Sequence, residues 1–292
     1  MTNFNLTNHH PKIYRLDAKE SQGILDGFVV GTEKIDGSQI GWGVVKGELV
    51  IRSKGAYINP ECVPGLFKGA TETILKAHAN GLLKEGQFFY GESVETPRHN
   101  RLHYGRVPEG HIVLFGGFDT DGRWFSWGEL ETWAQKFECE RVAILVRGDN
   151  VTEEEIETIV QNTSSQLGGI MEGMVIRVAD ACAEMRWAKY VRPEFKEVQK
   201  VKKAHAAPIE KISDLFAGYC TESRWHKAWQ HLADDGVDMT DKKVIGQFMS
   251  EIVRDTLEEE EQEIKDALFK IFRKQFNTAI TKGAVEWALA RM

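Results

Sequence analysis

The sequence predicts an α+β domain with antiparallel sheets, followed by a small all-helical C-terminal domain. Two observations carry this. Short β-rich runs alternate with helix-period stretches as far as residue 203. Beyond that point strand signals almost vanish, and apolar residues recur at helical spacing. The length agrees, since 292 residues suit one large or two ordinary domains. The expected boundary divides residues 1–205 from residues 206–292.

In chain order, Ile13, Tyr14 and Leu16 suit an edge strand or a lead-in segment. Phe28, Val29 and Val30 make a short strand that delivers Lys34. Ile40, Trp42, Val44 and Val45, then Leu49, Val50 and Ile51, form a hairpin around Lys46-Gly47, with Arg52 and Lys54 emerging after it. Residues 64–83 turn helical, through Leu66, Phe67, Ala70, Ile74, Ala77 and Leu82. Residues 87–90 are a buried strand running into Gly91-Glu92-Ser93. Residues 97–108, rich in Arg and His, read as a loop with too few apolar side chains to be buried.

A strand over 111–118 follows, then the Asp121-Gly122 turn and a return strand at Trp124-Phe125. Ser126 or Gly128 opens a helix through Trp133 and Phe137, and residues 142–146 form a strand. Thr152 with Glu155 has the capping-box pattern and starts another helix. Residues 171–177 and 184–190 are strands. In the tail, Pro208 serves as the first residue of a helix, while Thr221 and Thr240 cap two more. Ile264, Leu268, Ile271, Phe272 and Phe276 make a last amphipathic stripe, and the acidic run 258–261 reads as its solvated start.

Composition narrows the function classes. At 42% hydrophobic and 28% charged the chain has material for a real core. No apolar run suits a membrane span, and residues 1–10 lack a signal-peptide pattern, so a cytoplasmic protein is expected. Cys62, Cys139, Cys182 and Cys220 are far apart, which argues against zinc or disulfides. A net charge of −7 leaves a phosphate-binding partner dependent on local basic surface.

The chemistry-bearing stretch is Gly31-Thr-Glu-Lys34-Ile-Asp36-Gly37-Ser38. Asp36-Gly37 as a β-turn would leave Lys34 solvated at a tip. A lysine on the rim of a strand is instead a nucleophile once its pKa is drawn down. What favours the second reading is the ordered company of Arg52, Glu92, Phe118-Asp119, Glu172-Gly173 and Lys189.

That set resembles the covalent nucleotidyltransferase superfamily of polynucleotide ligases and mRNA-capping enzymes. The motifs read Glu33-Lys34-Ile35-Asp36-Gly37-Ser38, Ile51-Arg52-Ser53, Phe89-Tyr90-Gly91-Glu92, Leu114-Phe115-Gly116-Gly117-Phe118-Asp119, Met171-Glu172-Gly173-Met174-Val175-Ile176-Arg177 and Trp187-Ala188-Lys189-Tyr190. The likeness is greatest to ATP-dependent RNA ligases of the phage nick-sealing type. The run His99-Asn100-x-Leu102-x-Tyr104-x-Arg106-Val107-Pro108 also looks like a stretch in phage-type members.

The resemblance implies a nucleotidyltransferase (ATP-grasp-like ligase) domain. It implies that Lys34 attacks the α-phosphate of ATP, expels pyrophosphate and carries AMP to an RNA 5′-phosphate, which a 3′-hydroxyl then displaces. By the same resemblance Glu33 helps read the adenine edge, with Ile35 in the nucleotide-contact set. Arg52 and Glu92 hold the ribose, Phe118 stacks on the base, Glu172 positions Mg2+ (Mn2+ as the alternative metal), and Lys189 contacts the α-phosphate. One departure stands out. The last motif has Trp187 in its first basic position, with Arg186 one residue earlier and so on the opposite strand face.

An OB domain usually follows the last motif in DNA ligases and capping enzymes of this superfamily. The helical tail therefore points to RNA-ligase architecture, and the short N-terminal segment to ATP rather than NAD. The expected partner is RNA, as a nicked duplex or an RNA/DNA hybrid, with the protein a monomer acting in RNA repair. Arg192, Lys196, Lys200, Lys202 and Lys203, with Arg98, Arg101 and Arg106, either track a phosphate backbone or are solvated. His99 and His103 have no neighbouring cluster that would make a metal site. The alternatives are a DNA or mixed-substrate ligase, and a nucleotide- or RNA-binding module without turnover.

Overall fold

Two five-stranded sheets organise the first part of the chain. The computed structural model describes residues 10–178, 186–195 and 208–290. The strands are β1 (Tyr14–Arg15), β2 (Val29–Lys34), β3 (Ser38–Val45), β4 (Glu48–Arg52), β5 (Phe88–Ser93), β6 (Ile112–Phe118), β7 (Glu140–Arg141), β8 (Ile144–Gly148), β9 (Gly173–Val178) and β10 (Trp187–Val191). One sheet runs β1-β10-β9-β2-β8 and the other β4-β3-β5-β6-β7. Pairing is antiparallel except at β1/β10 and β6/β7.

Side-chain alternation gives each sheet two different faces. In the second sheet, Ile40, Trp42, Ile51, Phe89, Ile112 and Leu114 turn to one side. There they pack with Ala70, Ile74 and Ala77 of α1 (Lys68–Ala79) and Leu130, Ala134 and Phe137 of α2 (Trp127–Phe137). In the first sheet, Val29, Met174 and Ile176 cover Ile156 and Val160 of α3 (Glu153–Asn162). The remaining faces meet each other. Phe88, Tyr90 and Phe118 from one sheet cluster with Trp187 and Val175 from the other. The polar end of this sheet-on-sheet contact holds the candidate site.

Two helix starts follow from local chemistry. Ser126 caps α2 by accepting from the Glu129 N–H while the Glu129 carboxylate accepts from the Ser126 N–H, a complete capping box. Thr152 caps α3 by accepting from the Glu155 N–H at 3.1 Å.

The chain divides into two units, Met1–Phe195 with Gln230–Thr240, and Lys196–Trp229 with Asp241–Met292. The second contains α4 (Pro208–Ala217), most of α5 (Glu222–Asp234), α6 (Val244–Ile280) and α7 (Ala284–Leu289). Thr221 accepts from the Arg224 N–H at 3.3 Å and caps α5. No helix among the described residues is long and apolar enough to cross a membrane.

Several local expectations are corrected. The helix expected over 64–83 starts with a 3-10 turn, Gly65–Phe67, and ends at Ala79. Trp124 makes only a single bridge to Phe118 and no return strand. Thr240 does not cap α6. Its hydroxyl donates to Asp238 at 2.7 Å, and Lys243 precedes the helix without a side-chain cap. The acidic run 258–261 is not a helix start but lies inside the 37-residue α6. The run's charges are answered from two sides: within α6, Arg254 binds Glu258 at 2.7 Å and Lys265 binds Glu261 at 2.9 Å, and α5 meets the others. Lys227 binds Glu259 at 2.8 Å, and the fully buried Arg224 binds Asp255 at 3.1 Å with Glu260 at 3.9 Å. Finally, the 97–108 loop is not an unburied one, since His99, Leu102 and Tyr104 are all buried. Cys182, the start of the strand expected over 184–190, and Lys196, Lys200, Lys202 and Lys203 lie outside the described residues.

Candidate active site

Lys34 ends β2, at the point where its neighbour β9 begins. Lys34 pairs with Gly173 across the two strands, which sets Glu172 beside it. Its Nζ donates to Glu172 Oε2 at 2.6 Å. Gly173 is required there, because a Cβ would sit 2.0 Å from the Tyr190 carbonyl oxygen of β10. The Glu-Gly pair thus brings β10 close while leaving the carboxylate to face the lysine.

Lys34 is not the solvated tip of a turn. Its side chain is 26% exposed, and the turn comes after it at Asp36-Gly37. Burial acts to lower the Lys34 pKa, but Glu172, Glu92 and Asp36 outweigh it, and the net shift is upward. The ammonium form is therefore strongly favoured with no ligand bound. The carboxylates respond in kind. Burial pushes Glu172 up to about 7 against the opposing pull of Lys34. Burial, with Lys34 opposing and Glu172, Asp36 and Asp234 adding repulsion, pushes Glu92 up to about 8.

The Asp36-Gly37 turn is held on every side. The Asp36 carboxylate accepts from the Arg101 and Leu102 N–H groups at 2.9 and 2.8 Å. The Asp36 N–H donates to the Tyr104 hydroxyl at 2.7 Å. Asn100 Nδ2 donates to the Gly37 carbonyl at 2.7 Å. Gly37 has no room for a side chain, since a Cβ would lie 2.6 Å from the Ser93 carbonyl oxygen. Ser38, next in line, is bonded to His99 and to Asp234 at 2.9 Å each.

The other expected residues take distinct places. Glu92 lies on β5 opposite Gln39, half-buried. Arg52 ends β4 opposite Gly41, and Gly41 is also opposite Tyr90. Alternation therefore puts Arg52, Tyr90 and Glu92 on one face. The Arg52 guanidinium donates to the Ser53 and Lys54 carbonyls and lies 5.6 Å from the Tyr57 ring centre. Phe118 is stacked on Phe88 at 6.0 Å and meets Trp124 edge-on. Lys189 pairs with Val175, half-buried, and its charge lowers the Glu172 pKa.

Glu33 alternates to the face of β2 opposite Lys34. Its Oε2 accepts from the Gln166 N–H at 2.8 Å, while its buried Oε1 has no hydrogen-bond partner. Burial raises its pKa. Ile35 is 4% exposed and joins the largest apolar cluster. Trp187 is buried against Trp124, and Arg186 donates to the Gln22 carbonyl at 2.9 Å, so neither supplies a second cation beside Lys189. Of the loop arginines, Arg106 pairs with Glu140, and Arg101 donates to the Glu194 carbonyl and stacks over Phe195. Arg98 is exposed.

Sequence reasoning missed the clamp made by residues 99–104. The run was legible as a pattern, but its polar composition read as solvent exposure. Asp234 and Gln230 had no signal at all, being ordinary polar residues at a helix end.

The arrangement provides an amine, two carboxylates with raised pKa values and an aromatic floor between two sheets. The RNA ligase family model matches residues 27–191, which contain every one of the expected site residues. Among solved structures, a Naegleria gruberi RNA ligase mutant with AMP and Mn is 16% identical with a TM-score of 0.50, the match covering 63% of this chain and 56% of that one. A second mutant of that ligase with AMP and Mn (16% identity, TM-score 0.49) covers the same shares, 63% and 56%. An apo mutant (15%, TM-score 0.49) covers 62% and 54%. Likeness at this identity concerns the fold. The chain spans 54–56% of the length of these structures. No curated protein matches it.

Proposed function

The chain belongs to the RNA ligase family, and from that premise we propose that it joins RNA ends through an AMP carried on Lys34. The observation that carries this reading is the Lys34–Glu172 contact at 2.6 Å, made by two motif residues at the junction of β2 and β9. In the first step the neutral Lys34 amine attacks the α-phosphorus of ATP. A P–N bond forms, the bond to pyrophosphate breaks, and the lysine proton leaves. That proton passes to solvent, while Glu172, 2.6 Å from Nζ, orients the amine for the attack. In the second step an RNA 5′-phosphate oxygen displaces Lys34 from the phosphorus, giving an adenylylated RNA end. In the third a 3′-hydroxyl displaces AMP and closes the strand.

The donor set suits a hard divalent cation. Glu172 presents a carboxylate beside Lys34, and Mg2+ or Mn2+ commonly takes one or two carboxylates plus substrate phosphates. When bound, such a cation supplies positive charge that favours the neutral amine and offsets phosphate charge. Arg52 and Glu92 are proposed to hold the ribose, Phe118 to stack on adenine, and Glu33 and Ile35 to complete the base contacts. Lys189 is proposed to meet the α-phosphate. We assign residues 1–205 to adenylyl transfer and 206–292 to a helical C-terminal domain.

Trp187 favours a second reading, because an indole occupies the place of a phosphate-binding cation. A chain that binds nucleotide without turnover would show ATP binding but no pyrophosphate release. The deciding experiment is incubation with ATP labelled at the α-phosphate and Mg2+. Label that survives denaturing electrophoresis on the wild-type chain and is lost in Lys34→Ala supports ligation. Wild-type chain without label sinks it. Sealing of nicked duplexes with RNA or DNA at each end then identifies the polymer.

A further inference from the structure

Ser38, His99 and Asp234 form a buried serine–histidine–aspartate cluster in the unit that carries Lys34. Their exposures are 1%, 7% and 9%. The proton inventory shows that this is not a nucleophilic triad. His99 Nδ1 accepts from the Glu95 N–H at 2.9 Å, so the ring proton of neutral His99 is on Nε2. Nε2–H therefore donates to Ser38 Oγ at 2.9 Å, and Ser38 donates its own proton to Asp234 Oδ1 at 2.9 Å. Gln230 Nε2 completes the ring, donating to Asp234 Oδ1 at 2.7 Å and to Ser38 Oγ at 3.2 Å. A histidine that gives its proton to a serine cannot take the serine's proton, so the serine is locked rather than activated.

What it locks is the lysine loop. Ser38 is the first residue of β3 and pairs with Ser93, beside the Gln39–Glu92 pair. It follows directly on the Asp36-Gly37 turn that Arg101, Leu102, Asn100 and Tyr104 already grip. The next residue, Asp235, reaches Ser53 at 3.4 Å, immediately after Arg52. Two adjacent carboxylates, 196 and 182 residues away in sequence, thus contact the two serines that close the first two motifs.

We propose that Asp234, seated by Gln230, is a positioning residue for adenylylation. Through Ser38 it fixes the turn that aims Lys34 and the strand register that presents Glu92. The role rests on the assignment of Lys34 as the nucleophile. Placement errors of about 1 Å cost on the order of a hundredfold in rate, so losing one anchor of the turn costs about tenfold or more.

The test is single-turnover formation of the AMP adduct at several ATP concentrations with Mg2+. Asp234→Ala lowers the rate constant at saturating ATP by about tenfold or more and leaves half-saturation within about twofold. Asp234→Asn keeps an acceptor for both Ser38 and Gln230 and returns the rate to within about threefold of wild type. Ser38→Ala shows the same loss, and the double variant Ser38→Ala/Asp234→Ala loses no more than either single one, because both break one link. Should Asp234→Ala fail to fold, Ser38→Ala and Asp234→Asn carry the comparison.

A normal rate in Asp234→Ala or Ser38→Ala overturns the positioning role alone. So do a deficit that Asp234→Asn does not restore and additive losses in the double variant. No adduct on the wild-type chain overturns the lysine assignment and the positioning role together.

Discussion

Lys34 is a base kept as an acid until its neighbours change. Glu172, Glu92 and Asp36 raise its pKa against the opposing effect of burial. The fraction of neutral amine therefore grows with pH, and adduct formation should rise from about pH 6 to about pH 9. Glu172→Gln removes the nearest negative charge. The rise should then move to lower pH, although the maximal rate falls with loss of the carboxylate that orients the amine and positions the cation; rates measured across pH for both chains check this. Glu92 gives a stability prediction. Its folded-state pKa of about 8 lies above the ordinary carboxylate value, so the folded chain holds the proton more tightly than the unfolded one. That stabilisation is complete below the unfolded pKa of about 4.3 and is lost as pH rises through the folded value. Glu92→Gln should therefore raise the melting temperature more at pH 8 than at pH 5, read by thermal unfolding at both. The motif residues were legible only as an ordered set that resembles a known family, since none of them is distinctive alone. Asp234 was not, because a polar residue at a helix end carries no sign of a partner 196 residues away.

The elements show where pattern reading works and where it stops. Hairpin β3/β4, the caps at Ser126 and Thr152, and β6 follow from β-rich runs, a Gly turn, a continuous apolar run and capping chemistry that act over a few residues. The 99–104 loop reads as exposed because its polar groups were counted without their partners. In the fold they bond the Asp36-Gly37 turn, which lets Leu102 and Tyr104 become buried. Tyr104→Phe leaves the Asp36 N–H without its acceptor and should cost about 1–3 kcal/mol, measured by denaturant unfolding. In α6, the acidic run reads as a beginning because Arg224 and Lys227 of α5, which meet Glu260 and Glu259, lie more than 30 residues earlier in the sequence. Arg224→Leu removes a cation from the buried Asp255, which Lys227 also meets at 3.1 Å, and should destabilise the helical unit by about 3 kcal/mol. Far-UV circular dichroism during unfolding reads that loss.

For the whole molecule, the α+β character and the helical tail were legible from periodicity, whereas the return of Gln230–Thr240 to the first unit was not. That return depends on tertiary hydrogen bonds that leave no periodic trace. The net charge of −7 makes any RNA contact a matter of local arginines and lysines. RNA binding should therefore weaken with salt, with a log–log slope of roughly −0.7 per phosphate contact on a single strand, checked by titration at several ionic strengths. All of this converges on one atom, Lys34 Nζ. Mass-spectrometric mapping of the chain after incubation with ATP and Mg2+ tests it most directly. The account predicts AMP on the peptide containing Lys34, in an acid-labile linkage. AMP on another residue, or none on any peptide, would contradict it.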